Sequence, residues 1–143
     1  MDNFGIISLY CGKSGKKGYY NNQEIGLAKA LCEHNFKCYV FMPNIVDNQI
    51  LEENIDDKIM VIHFPSKHIG VHSIFNCEFL LKYNLKYLQI NGDNQIYVKH
   101  LANFCDKHNI SKYFYIGSLG TDSKNKLKKQ TNHMLMVLLL QPL

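Results

Sequence analysis

Residues 4–42 read FGIISLYCGKSGKKGYYNNQEIGLAKALCEHNFKCYVFM, and this stretch decides the fold. Its opening, FGIISLY from Phe4 to Tyr10, is an unbroken apolar run that ends in a glycine-rich loop. That is the pattern of a strand buried on both faces. A helix is expected over residues 21–34: Asn21 can cap its start, and Glu24 stands three residues on, as in a variant capping box. Ile25, Ala28, Leu31 and Cys32 then recur along one helical face. Residues 37–42 (KCYVFM) form a second strand, stopped by Pro43. Strand, loop, helix and strand in that order make a βαβ unit, and so a parallel sheet.

The alternation continues outward. Polar residues 44–57 hold one weak helical turn around Ile50 and Leu51, and residues 58–64 (KIMVIHF) form a third strand stopped by Pro65. Residues 71–83 carry Val71, Ile74, Phe75 and Phe79 at mixed helical spacing, and residues 86–90 (KYLQI) form a fourth strand. Gly92 makes a turn, and Asp93 caps a helix running to about His108, with Tyr97, Leu101, Phe104, Cys105 and His108 as its stripe. Residues 112–116 (KYFYI) form a fifth strand ending at Gly117, after which Thr121 and Asp122 can cap a lysine-rich helix. The expected architecture is α/β: a single doubly wound, Rossmann-like domain over residues 1–143, with a mainly parallel sheet of about five strands. In such sheets ligands lie outside the carboxyl ends of the strands, at the topological switch point.

Composition narrows the function classes. With 46% apolar and 20% charged residues in 143, the chain matches an ordinary globular domain and excludes collagen-like, coiled-coil and disordered classes. No apolar run reaches the ~18 residues of a membrane span, and no basic segment precedes an apolar one at the N-terminus. The expected location is cytoplasmic, free or peripheral to the membrane. Sixteen lysines and no arginine against 12 acidic residues give a charge of +4. Arginine is the usual bidentate reader of guanine and phosphate, so no nucleic-acid partner is expected. The clusters Lys13, Lys16, Lys17 and Lys124, Lys126, Lys128, Lys129 read as solvated surface. Five cysteines (Cys11, Cys32, Cys38, Cys77, Cys105) are an odd number without regular spacing, which fits small buried hydrophobes rather than a disulfide framework or zinc ribbon.

Three loops at the expected carboxyl edge carry the candidate binding residues. The first holds Gly12, Lys13, Ser14, Gly15, Lys16, Gly18 and Tyr19; its glycines allow close backbone approach, and a helix N-terminus follows. A phosphate or a sugar hydroxyl can sit there. The P-loop and dinucleotide fingerprints both fail on glycine spacing. The second loop offers Asn91, Asp93 and Asn94, amides and a carboxylate suited to hydroxyls, although a turn and helix cap also explain Gly92 and Asp93. The third begins with Gly117 and Ser118, again small residues that either admit a ligand or simply turn the chain. His68 and His72 have helical spacing but lack a third ligand, His63 reads as a hydrogen-bonded core residue, and no nucleophile signature is present.

In three segments the chain resembles the N-terminal half of a GT-B glycosyltransferase, most closely family 4. They are GIISLY with its glycine-rich loop, NNQEIGLAKALCEHNFKCYVFMP, and QIYVKHLANFCDKHNISKYFYIGSLGTDS, covering residues 4 to 125 in order. The resemblance implies an acceptor-side platform formed by loops 12–20, 91–95 and 117–122, with the first loop at the interdomain cleft near the donor's phosphates. It implies a nucleotide-sugar donor held by a C-terminal domain, a glycan or lipid-linked acceptor, and no metal or other cofactor. The donor domain, with its Glu-x7-Glu motif, has no counterpart in these residues. Where many members place a histidine after the fifth strand, Gly117 and Ser118 stand here. Transfer is therefore not expected of this chain alone, since one wall of a cleft cannot hold two substrates in reacting geometry.

Two other classes stay open. One is a flavodoxin-like or nucleotide-phosphate-binding module that uses the loop from Gly12 to Gly18. The other is a non-catalytic interaction protein. Its apolar block, residues 134–140 (MLMVLLL, from Met134 to Leu140), would dock a partner or a second copy.

Overall fold

The computed structural model describes residues 1–10, 22–92 and 95–115. Along the chain, β1 (Asp2–Ser8) is followed by α1 (Asn22–Glu33), β2 (Phe36–Asn44), β3 (Leu51–Asn54) and β4 (Ile59–Pro65). The short strands β5 (Lys67–Ile69) and β6 (His72–Ile74) come next, then a 3-10 helix (Cys77–Tyr83), β7 (Tyr87–Asn91), α2 (Val98–Lys107) and β8 (Ser111–Tyr115). The fold is α/β, with a six-stranded mixed sheet of order β3-β4-β2-β1-β7-β8 and a separate β5-β6 hairpin. β1 pairs in parallel with both β2 and β7, β2 with β4, and β7 with β8; only β3 runs antiparallel, on β4.

Both faces of the central strands are apolar, which is why their sequences read as continuous runs. Ile6, Val40, Met42 and Val61 pack with Ala28, Ile25, Leu27 and Leu31 of α1 on one face. Their neighbours Ile7, Phe41, Ile62, Leu88 and Ile90 point the other way, against Leu80 and Tyr83 of the 3-10 helix and Val98, Leu101 and Cys105 of α2. α1 stops at Asn35, whose φ of +64° breaks the helical path, as asparagine does at left-handed helix ends. On the α1 side, Phe4, Phe36, Tyr87 and Tyr113 form a ring cluster with centroids 5.8–6.2 Å apart.

The five expected strands are β1, β2, β4, β7 and β8. Three segments differ from expectation. The weak turn at Ile50 and Leu51 is instead the start of β3, paired Leu51↔His63 through Asn54↔Met60. Asp56 closes this hairpin, its Oδ1 accepting the Lys58 and Ile59 amides at 2.8 and 2.9 Å. Pairing with an open strand edge outweighs a single helical turn, which is costly to nucleate. Residues 67–83 hold a hairpin and then a 3-10 helix, because Gly70 turns the chain at φ +61°. Pro43 does not stop β2: the ladder with β1 ends at Phe41, and proline is tolerated on the edge left unpaired there.

The outer strand is tied to the layer beneath it. Glu52 on β3 accepts from Lys82 Nζ and from Tyr83 Oη, each at 2.8 Å. These bonds, that from Lys82 first, hold its carboxyl below the usual range. Among the described residues no helix is long and apolar enough to cross a membrane.

Candidate functional site

The strand order reverses direction beside β1. From there the chain steps to β2 and β4 on one side, then crosses to β7 and β8 on the other. The carboxyl ends of β1 and β7 therefore flank the crevice that parallel α/β sheets use for ligands. At this edge the Leu9 amide donates to the Asn91 carbonyl at 3.1 Å. Gly92 follows with φ +110°, and a Cβ built there would lie 2.9 Å from Gln95 Cγ. Gly92→Ala is thus expected to lower the unfolding free energy by about 1–3 kcal/mol in urea melts, through backbone strain and this contact.

A cavity of about 330 Å³ opens here, lined by Gln23, Glu24 and Leu27 of α1, Gln89 and Asn91 of β7, and Tyr115 of β8. That volume falls within the ~300–1,000 Å³ of small-molecule sites. Period-two alternation builds its floor: Leu88 and Ile90 point into the opposite core, so Gln89 and Asn91 face α1. Gln89 Nε2 donates to Asn91 Oδ1 at 2.9 Å, and Asn91 Nδ2 donates to Glu24 Oε1 at 3.1 Å. Glu24 is only 8% exposed, yet its Oε2 has no hydrogen-bond partner among the described residues. A buried polar atom left without a partner costs about 1–3 kcal/mol, and more when charged. The amide run thus ends on a buried carboxylate.

Of the candidate residues from the sequence, Asn91 is in this cavity. Gly12, Lys13, Ser14, Gly15, Lys16, Gly18, Tyr19, Asp93, Asn94, Gly117 and Ser118 lie outside the described residues, as do residues 134–140 and Asn21. Glu24, expected to follow Asn21 in a capping box, accepts from Asn91 Nδ2, while Asn21 itself lies outside the described residues. α2 starts at Val98 with Tyr97 in the cap position, later than the expected start after Asp93. Ahead of it the Gln95 amide donates to the Gly92 carbonyl at 3.0 Å. Gln23, Gln89 and Tyr115 were not singled out by sequence. The alternation in YLQIN was the one signal for Gln89.

Elsewhere among the described residues, several reactive side chains are hydrogen-bonded or buried. His72 Nδ1 donates to buried Gln95 Oε1 at 2.7 Å, and His68 Nδ1 to the Gly70 carbonyl at 3.2 Å. His63 is buried, with Nε2 3.9 Å from a Glu53 carboxylate oxygen. Among the described residues no group of three or more His, Cys, Asp or Glu side chains is placed to hold a metal ion. Cys38, Cys77 and Cys105 are buried free thiols and Cys32 is half-buried. Burial pushes Cys38 and Cys105 up to about 12, and Cys77 upward, so these three remain protonated at neutral pH and are poor nucleophiles. A second groove of about 530 Å³, at the opposite end of β8, is lined by Asp106, Asn109 and Lys112. There the Lys112 ammonium is already paired with the Asp106 carboxylate.

No family model, curated protein or solved structure matches this chain.

Proposed function

We propose that the chain is a single doubly wound, Rossmann-like domain that serves as the acceptor-side half of a two-domain glycosyltransferase. Its complete enzyme would move a sugar from a nucleotide-sugar donor to a carbohydrate or lipid-linked acceptor in the cytoplasm. The observation that carries this reading is the cavity at the strand-order reversal, walled by three amides, a carboxylate and a phenol. Such groups read hydroxyls, since each offers donors or acceptors at a fixed angle. The resemblance of three chain segments to family 4 supplies the reaction class.

The rival nucleotide or flavin module needs a phosphate near the start of α1. Glu24 sits in the first turn of that helix, where a phosphate would meet a like charge. Two unit charges 4 Å apart repel by about 4 kcal/mol at an effective dielectric of ~20. Among the described residues, the charge at this end of the helix therefore favours a neutral, hydroxyl-bearing ligand.

Thermal shift against free nucleotides, FMN, nucleotide sugars and simple glycans tests the proposal, with light scattering on the same samples. Glycans are expected to raise the melting temperature while nucleotides and FMN leave it unchanged. Binding at ~100 times the dissociation constant adds about 2.7 kcal/mol, a readily visible shift. Stabilisation by nucleotide or FMN, with none by glycans, overturns the reading in favour of the phosphate-binding module. An oligomer indifferent to every small ligand favours the interaction protein.

A further inference from the structure

We infer that Cys32 and Cys38 are a peroxide-sensitive pair, joined by a disulfide when hydrogen peroxide oxidises the half-buried Cys32. Neither residue lines the cavity between α1 and β7, so the pair stands whether or not that cavity takes a sugar.

The chain brings the two together by ending one element and starting the next. α1 finishes at Glu33, Asn35 takes φ +64°, and β2 starts at Phe36, so the backbone doubles back between the two cysteines. Alternation along β2 points Cys38, with Val40 and Met42, toward α1. Cys32 stands on the helix face that packs against those residues. One backbone oxygen locates both: the Lys58 carbonyl accepts the Cys38 amide at 2.8 Å and lies 3.8 Å from Cys32 Sγ. The two thiols interact directly. Burial raises the Cys38 thiol most, then its neighbour Cys32, then the Asp56 carboxylate.

Exposure sets the order of events. Cys32 is half-buried, and peroxide in solvent can reach its sulfur. Cys38 is fully buried and stays protonated at neutral pH, so it is not the first to be oxidised. In the first step Cys32 gives its proton to water and its thiolate attacks one peroxide oxygen. The O–O bond breaks, Cys32 becomes a sulfenic acid, and the departing hydroxide is protonated to water. The Cys38 sulfur then attacks the Cys32 sulfur and expels a second hydroxide, which takes the Cys38 proton. Two thiols lose two electrons in all, and one peroxide becomes two waters. Proximity offsets the low nucleophilicity of Cys38, because the two side chains are already neighbours. The bridge pins the last turn of α1 to β2 across the bend at Asn35. In a reducing compartment the pair rests as a dithiol and the bridge is transient. Cys77 and Cys105 also interact, but at 3% and 0% exposure neither is open to the oxidant.

The test is peptide mapping of the full chain after hydrogen peroxide treatment, with free thiols blocked by N-ethylmaleimide during unfolding. Trypsin cuts after Lys37, between the two cysteines, so a bridge joins residues 30–37 to residues 38–58. That linked pair is expected as the main oxidised product, with two alkylation sites lost together and both recovered by dithiothreitol. Cys77 and Cys105 should remain open to alkylation. Cys32→Ser, at a half-buried position, should leave Cys38 reduced under the same treatment. Cys38→Ala should stop the reaction at the sulfenic acid, captured on Cys32 by dimedone. If that variant folds poorly, the wild-type map and Cys32→Ser decide alone. Cys32 driven to sulfinic acid while Cys38 remains a thiol overturns the proposal. So does a bridge from Cys32 to Cys11 or to a second chain, and so does a Cys32 that peroxide leaves untouched.

Discussion

Replacing Phe41 by alanine is expected to remove about 3–5 kcal/mol of unfolding free energy, the range for deleting a buried aromatic ring. Phe41 lies on β2 between Ile7 of β1 and Ile62 of β4, and is fully buried. Its ring centroid is 5.1 Å from Tyr83, 5.8 Å from Phe79 and 6.4 Å from Tyr39, so one side chain joins the sheet to the 3-10 helix. A domain of this size has only about 5–15 kcal/mol to lose. Urea melts followed by circular dichroism should show the midpoint falling steeply with little change in slope, and Phe41→Leu should recover part of the loss. A fall below ~1 kcal/mol would mean that the 3-10 helix does not pack on β2 as described.

Gly5→Val is expected to cost about 1–3 kcal/mol, by overpacking rather than by loss. Gly5 sits in β1, paired with Tyr39 on one side and Leu88 on the other. A Cβ placed there would lie 2.7 Å from Leu88 Cδ1, 3.0 Å from Leu85 Cδ1 and 3.1 Å from Phe41 Cε2. All three neighbours are buried, so none can swing into solvent to make room. The double variant Gly5→Val with Leu88→Ala should be milder than the sum of the two single changes, since shared space couples neighbouring sites. Simple additivity in the urea series would sink this account.

The parts of the fold legible in the sequence were those with a long, regular apolar pattern. The first five residues of FGIISLY lie in β1 and KCYVFM lies in β2, and the Ile25–Ala28–Leu31 stripe lies on the buried face of α1. Period alone could not find β3, whose four residues LEEN carry one apolar side chain and exist as a strand because β4 offers an edge. Nor could it place the start of α2, since Asp93 is a good cap by type while the turn at Gly92 delays the helix to Val98. The site divides the same way. Asn91 was legible as a polar residue at a strand end. Glu24 read locally as a helix cap, and its bond to Asn91 spans 67 positions, a distance at which no local pattern speaks. Tyr115 joins them only once β8 lies beside β7.

The central place of β1 also sets an order of assembly. Its partner β2 begins at Phe36, but its other partner, β7, begins at Tyr87. On a ribosome adding about 5–20 residues each second, roughly 2–9 s pass between completion of β2 and arrival of β7. During that interval β1, β2 and β4 can zip together while the far edge of β1 stays bare and adhesive. Closing the more distant pair carries the larger chain-entropy cost, so it comes late in refolding as well. The crevice between Glu24 and Asn91 is made by that late closure, and a nascent chain acquires its candidate site only when the sheet is finished.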